Sequence, residues 1–390
     1  PLILTPDMNS CDSSSFQHNS SLPLVIKEAD FNYQCERMMI FKRLMEGWPF
    51  VRSNLIQSSK IDVPPFYRAQ VWAAMLNIKW NDLFIYDKID KISTTMTDRQ
   101  ISVDIPRCHQ YNDLLASPQG HIKLTRVLKA WLSYNESNGC VYWQGLDSLA
   151  SPFVILNFNN EPQAFACFNA FINKYLKGFF VKDNSMVIQE YLAIFNQLMA
   201  FHDPQLYNHL QELGLFPDLY AIPWFLTMFT HVLPLHKTMH VWDTLLLGDE
   251  SFALYIGLAI LTQLRNNLLE FTFNDCVLIF SDLPEINVEI CVKHAIKLFC
   301  STPKSASQRG VKQLEILKTE IAPRIDVSDL ISLVKNEKSK IIILDGRSEE
   351  ETQKFGSIHS AIKLENFDQA LINGHLLVVI NSIETATKMV

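Results

Sequence analysis

Ile101-Ser102-Val103-Asp104-Ile105-Pro106-Arg107 and, further along, Tyr142-Trp143-Gln144-Gly145-Leu146-Asp147-Ser148-Leu149-Ala150-Ser151-Pro152-Phe153 are the stretches on which the reading of this chain turns. Both lie in a region, Cys35 to about Cys300, whose apolar spacing is almost wholly helical. Met38, Met39, Phe41, Leu44, Met45 and Trp48 recur at helical spacing. So do Val71, Met75 and Leu76, and so do Leu124, Val127, Leu128, Trp131 and Leu132. Phe165, Phe168, Phe171, Tyr175 and Phe179 form an aromatic stripe that reads as core. No repeat with a period of roughly 20–50 residues is evident, and strand-like alternation is scarce in this region.

The flanks differ. Residues 1–35 begin rich in Ser and Asn and are expected to form a flexible leader, so the helical domain is placed at 36–300. Residues 301–325 open with the polar, breaker-rich stretch Ser301 to Gly310 and read as a linker, with a helix over 311–321 before Pro323. Residues 326–390 change character. A helix over 328–335 leads to the β-rich run Ile341-Ile342-Ile343-Leu344, which ends at Asp345-Gly346. Glu349, Glu350 and Glu351 follow Ser348 and read as a helix start, where carboxylates complement the helix dipole. A helical segment over 367–373 precedes a second apolar run, Leu376 to Ile380. Short apolar runs alternating with helices predict a parallel sheet. The fold class is therefore mostly α, with a small, incomplete α/β piece at the C-terminal end.

Composition sets limits on function. Of 390 residues, 48% are hydrophobic and 19% charged, which describes a globular chain and excludes overall disorder. Lys and Arg number 34 against 41 Asp and Glu, a net charge of -7, so nucleic acid is not an expected partner without a local basic patch. The eight cysteines, at 11, 35, 108, 140, 167, 276, 291 and 300, include no C-x-x-C pair and are expected to be reduced thiols. The N-terminus has no signal-peptide pattern, and without an initiator Met the chain is expected to be a fragment. The longest weakly polar stretch, Leu219 to Leu235, is broken by Pro223, His231 and Pro234, so no membrane span is expected. Neither a P-loop, a dinucleotide fingerprint, a kinase signature nor a G-x-S-x-G elbow is present. His236 and His240 stand four apart like metal ligands but lack an H-E-x-x-H context, and no metal is expected.

Ile101, Asp104 and Arg107 fit a pattern I-x-x-D-x-x-R, and Tyr142, Gln144 and Gly145 fit Y-x-Q-G, followed by Pro152-Phe153. Arg68, Val71 and Trp72 fit R-x-x-V-W, just after Pro64. With Tyr220 to Phe225 and Val241-Trp242-Asp243 downstream, the chain resembles the Tre-2/Bub2/Cdc16 (TBC) family over roughly 36–300. These are all-helical GTPase-activating proteins for Rab GTPases. The resemblance implies a Rab-family small GTPase as partner, cytoplasmic and recruited to endomembranes. It implies no cofactor bound by this chain, since GTP and Mg²⁺ belong to the partner. It makes Arg107 an arginine finger, whose guanidinium would stabilise charge on the transferring phosphoryl group, an effect worth ~10³–10⁵ in rate. It makes Gln144 the positioner of the attacking water, because an amide both donates and accepts. Asp104 is expected to orient the loop and to pair with Arg68. Tyr142 is expected to pack so as to place Gln144, and Trp72 and Trp242 to lie in the core. Three departures accompany the resemblance. Cys108 stands where many relatives have Thr, Asp147 stands near a usual Asn-Asp pair, and Trp143 separates Tyr142 from Gln144.

The run from Ile341 through Asp345 and Arg347 to Glu350 is similar to the start of the rhodanese pattern, a strand followed by D-x-R-x-x-x-E. Gly356 to Ile362 is similar to that family's G-H-I-x-G-A segment, with Ser357 and Ser360 replacing His and Gly. No cysteine follows Cys300, and a persulfide needs a thiolate. The piece is therefore expected to bind other proteins and not to transfer sulfur. The competing reading for the whole chain is a non-catalytic adaptor.

Overall fold

The computed structural model describes residues 23–310, 314–335, 341–357, 361–363, 366 and 376–380. Two compact units are present. The first comprises residues 23–184, 223–256 and 282–294, and the second 185–222, 257–281 and the described residues from 295 onward.

In the first unit every residue from Leu146 to Val154 is buried. A helix buried on all sides belongs to a core, and Leu146–Leu156 accordingly packs against helices Pro118–Tyr134 and Glu161–Tyr175. Side-chain caps start both neighbours: Ser117 accepts from the Gly120 amide and Asn160 from the Gln163 amide. The aromatic stripe is core, as its spacing indicates: Phe165, Phe168, Phe171, Tyr175 and Phe179 are all buried. Phe171 stacks on Trp242 with centroids 4.4 Å apart, and Phe153 lies 5.9 Å from Trp72 and 5.3 Å from Trp242. Rings of this size each stabilise by ~1.5–3 kcal/mol when fully buried.

The leader expectation fails over its second half. Leu24–Ala29 and Phe31–Glu46 are helices, and the Asp30 carboxylate caps the second through the Tyr33 amide at 2.8 Å. Glu28 on the first helix reaches Arg68 and His240, each at 2.9 Å, and the Leu24 amide donates to Glu289 at 2.7 Å. Composition hid this because a six-residue helix is too short to show a periodicity of its own. Residues 1–22 lie outside the described residues.

In the second unit, helix Ser185–His202 presents buried Gln197, whose amide donates to the carbonyls of Leu317 and Glu320, both at 3.0 Å. The stretch read as a linker is thus packed where it is described. Helix Leu314–Thr319 stands within the expected 311–321. Ser305, Ala306 and Ser307 are buried, with the Ser305 amide and hydroxyl donating to Asp329 at 2.8 and 2.5 Å. The strands β1 (Ile341–Asp345), β2 (Ala361–Lys363) and β3 (Leu376–Ile380) form a parallel sheet in the order β2-β1-β3. Ile343 pairs with both Ala361 and Val378. Helix Val327–Lys335 precedes the sheet, and Ser348 and Glu351 form a capping box at the start of Glu349–Phe355, as the acidic run predicts. The expected helix over 367–373 lies outside the described residues. No helix among the described residues is long and apolar enough to cross a membrane. No disulfide links the seven described cysteines.

Candidate functional site

The upstream patch sits on helix Arg68–Met75, which buries Arg68, Val71, Trp72, Ala74 and Met75. Arg68 Nε donates to both oxygens of Asp243 at 3.1 and 3.0 Å, and a second nitrogen reaches Glu28 at 2.9 Å. The Trp72 indole N–H donates to the same Asp243 at 2.7 Å. Burial pushes the Asp243 carboxyl up, and Arg68 and the indole N–H work against that rise. Arg68 therefore does not pair with Asp104, contrary to the sequence expectation. Its partner stands 175 residues away on helix Leu235–Leu245, a separation that no local spacing reveals. Trp72 and Trp242 are core, as expected.

Helix Asp98–Asp104 and the 3-10 turn Ile105–Arg107 carry the next patch. Ile101 and Ile105 are buried and anchor its inner face, while Pro106 and Arg107 are exposed. Asp104, only 8% exposed, accepts from Gln100 at 2.9 and 3.1 Å and from the Tyr142 hydroxyl at 3.0 Å. Gln100 was not singled out from sequence, although its i, i+4 spacing to Asp104 on a helix is a signal that finds it.

The Tyr142–Gly145 segment is held on its other side by backbone. Cys140 bridges Val181, the Val141 amide donates to Phe180 at 2.8 Å, and the Trp143 indole donates to Val181 at 3.1 Å. Gly145 then turns the chain with φ of +98° into the buried helix Leu146–Leu156. A Cβ there would meet Thr227 Cγ2 at 2.8 Å, so both the left-handed backbone and the close approach require glycine. Gln144 is exposed at the head of that helix. Among the described residues neither the Gln144 nor the Arg107 side chain has a hydrogen-bond partner.

Tyr142 thus does more than pack beside Gln144. Its hydroxyl ties the segment bearing Gln144 to the turn bearing Arg107. Burial, with the Asp147 and Asp104 carboxylates nearby, pushes the phenol up, so it remains a donor. Beneath the surface, burial also raises the Asp147 carboxyl, which accepts from the Gly145 amide at 3.2 Å. Burial and Asp147 raise the Cys108 thiol, which lies 3.1 Å from Ser151 Oγ and is an inert core group. His109 takes φ of +47°, and burial together with His231 holds its imidazole at about 4, hence neutral at pH 7. Tyr111 joins it to the start of helix Leu235–Leu245: its hydroxyl is 3.0 Å from His109 Nδ1 and accepts from the Leu235 amide at 3.0 Å. Neither His109 nor Tyr111 had a sequence signal. Among the described residues no group of three or more His, Cys, Asp or Glu side chains could hold a metal ion.

Comparison with known proteins follows this geometry. Residues 65–269 match the Rab-GTPase-TBC domain. The chain is 48% identical to the human TBC domain-containing protein kinase-like protein, over 87% of this chain and 45% of that one. It is 38% identical to the protein of the same name from Dictyostelium discoideum, over 84% of this chain and 33% of that one. It thus spans less than half the length of these curated relatives. Among solved structures it resembles the Ypt/Rab-GAP domain of Gyp1p, with TM-score 0.61, 18% identity and coverage of 69% of this chain and 99% of that one. It also resembles a Chlamydomonas flagellar RabGAP TBC domain, with TM-score 0.57, 20% identity and coverage of 72% and 98% respectively. At these identities the two structures share a fold. The match to the TBC domain takes in more than half of the residues, and the chain belongs to the Rab-GTPase-TBC domain family.

Proposed function

We propose that the chain accelerates GTP hydrolysis on a Rab-family small GTPase by supplying Arg107 and Gln144 in trans. One observation carries the reading: two exposed side chains without partners among the described residues stand on segments tied together by the Tyr142–Asp104 hydrogen bond. Hydrolysis is slow where charge growing on the γ-phosphoryl oxygens is unmatched and the attacking water is loosely placed. A guanidinium is a planar, permanently charged donor suited to phosphate oxygens, and a free amide can accept from a water while donating to a phosphate. Fixing both on one rigid frame lowers the entropy lost in reaching the transition state. GTP and Mg²⁺ arrive with the GTPase, and this chain encounters its partner at the cytoplasmic face of endomembranes.

The C-terminal sheet we read as a rhodanese-like piece without sulfur chemistry. Its Asp345–Arg347 pair closes the loop after β1, with Arg347 donating to Asp345 at 2.9 and 2.8 Å and to the Gly356 carbonyl at 2.9 Å. In this reading the piece binds proteins. The test of the whole is phosphate release from a panel of GTP-loaded Rab GTPases with and without the chain. Acceleration of at least one member is expected. No acceleration across a broad panel overturns the catalytic reading in favour of the adaptor.

A further inference from the structure

Lys129 sits in the C-terminal half of helix Pro118–Tyr134, within the run Val127 to Trp131 that is buried all round, and is itself only 8% exposed. Lysine is almost never buried without partners, because removing an ammonium from water is costly. Its Nζ donates to the Ser93 carbonyl and to Asp98 Oδ2, both at 2.8 Å. Asp98 is the first residue of the seven-residue helix that ends at Asp104 and runs directly into the Arg107 turn. Its carboxylate is shared with the Thr95 hydroxyl at 2.6 Å, and Asp90 orders the loop before it through the Ile92 and Ser93 amides at 2.9 and 3.1 Å.

The arginine-bearing segment is therefore fixed at both ends. Tyr142 holds Asp104 at its C-terminal end, and Lys129 holds Asp98 about 10 Å away at its N-terminal end. A short helix pinned at one end can still pivot; pinned at two it cannot, and the side chain just beyond its last turn inherits that restraint. We propose that Lys129 is a positioning residue for Arg107, acting from the core through Ser93 and Asp98 without touching the partner. This rests on the catalytic reading above. The Asp98 side chain is 30% exposed, so water can take the place of the ammonium there. Losing Lys129 should accordingly loosen the segment more than it unfolds the chain.

The test compares wild type, Lys129→Met, Lys129→Arg and Asp98→Asn in hydrolysis assays on a responsive Rab GTPase, with amide hydrogen exchange over residues 98–107. Lys129→Met should lower kcat about 10- to 100-fold with KM unchanged, since displacements near 1 Å carry that penalty. It should also speed exchange in 98–107 while leaving helix Leu146–Leu156 protected. Asp98→Asn should follow in the same direction, and Lys129→Arg should recover most of the loss. In an Arg107→Ala background Lys129→Met should have no further effect. A Lys129→Met chain with wild-type kcat overturns the inference, as does equal loss in the presence and absence of Arg107. If wild type accelerates no GTPase, it is the catalytic reading that has failed.

Discussion

Replacing Arg68 by Met should be among the most destabilising single changes in the first unit. Arg68 makes two contacts to Asp243 at 3.0 and 3.1 Å and one to Glu28 at 2.9 Å, from a position 6% exposed. Methionine preserves most of the stem but none of the donors. Asp243, 9% exposed, then keeps only the Trp72 indole at 2.7 Å as a hydrogen-bond donor. Breaking a buried pair from one side costs ~3–5 kcal/mol, because an uncompensated charge stays behind. Glu28, with 29% of its side chain exposed, turns to solvent at little cost. Against a typical ~5–15 kcal/mol for folding, this deficit is severe. The second change Asp243→Asn, which still accepts from Trp72, should recover a large part of it. The sign of the pH effect follows from burial. Burial already pushes Asp243 above its ordinary 3.8, and without Arg68 only the indole and His240 oppose that push, so its folded value stays above the unfolded one. The deficit is then full above that folded value and shrinks as pH falls through it. Urea denaturation of wild type, Arg68→Met and Arg68→Met/Asp243→Asn at pH 7 and pH 5, with hydrogen exchange in helices 68–75 and 235–245, measures all of this. A single variant within ~0.5 kcal/mol of wild type, or a double variant no better than the single, refutes the reasoning.

Tyr142→Phe deletes only the hydroxyl that donates to Asp104, a bond to a charged group worth ~1.5–3 kcal/mol, and should reduce the acceleration of hydrolysis by roughly tenfold or more without displacing the ring. Gly145→Ala forces a side chain into φ of +98° and against Thr227, and should cost ~1–3 kcal/mol in denaturation; adding Thr227→Ser, which removes the clashing methyl, should recover only part of the loss, because the backbone strain remains. Burial pushes the Glu28 carboxyl up, but His240 and Arg68 outweigh it and hold it at about 2, against an ordinary 4.5. Its contribution is thus present above pH 4.5 and lost as pH falls toward 2, so Glu28→Gln should be less stable than wild type at pH 7 and converge with it in acid, read from melting temperature against pH.

How much of this was legible in the sequence depends on distance along the chain. Val71, Met75 and the stripe from Phe165 to Tyr175 declared their helices because periodicity is local, although Phe179 lies in the turn beyond, and the runs at 341–344 and 376–380 declared parallel strands because buried strands are continuously apolar. Strand β2 did not, since Ala361–Lys363 is too short to show alternation. Ser305 and Ser307 read as linker because small polar residues rarely enter a core; here Asp329 meets the Ser305 amide and hydroxyl. In the site, Ile101 and Trp72 were recognisable as buried supports. The partner of Arg68 was not, because several carboxylates could have met it and only the packing of helix 235–245 selects Asp243. Lys129 carries no signal of its own in the sequence, and only its two acceptors in the preceding loop and helix reveal its burial.

The central claim is that Arg107 and Gln144 act on a partner's GTP, and single-turnover hydrolysis by a responsive Rab GTPase tests it most directly. Wild-type chain should accelerate phosphate release, Arg107→Ala should remove a factor of about 10³ or more, and Gln144→Ala should lose most of the acceleration while both variants keep the wild-type fold. Acceleration that survives Arg107→Ala would contradict the account.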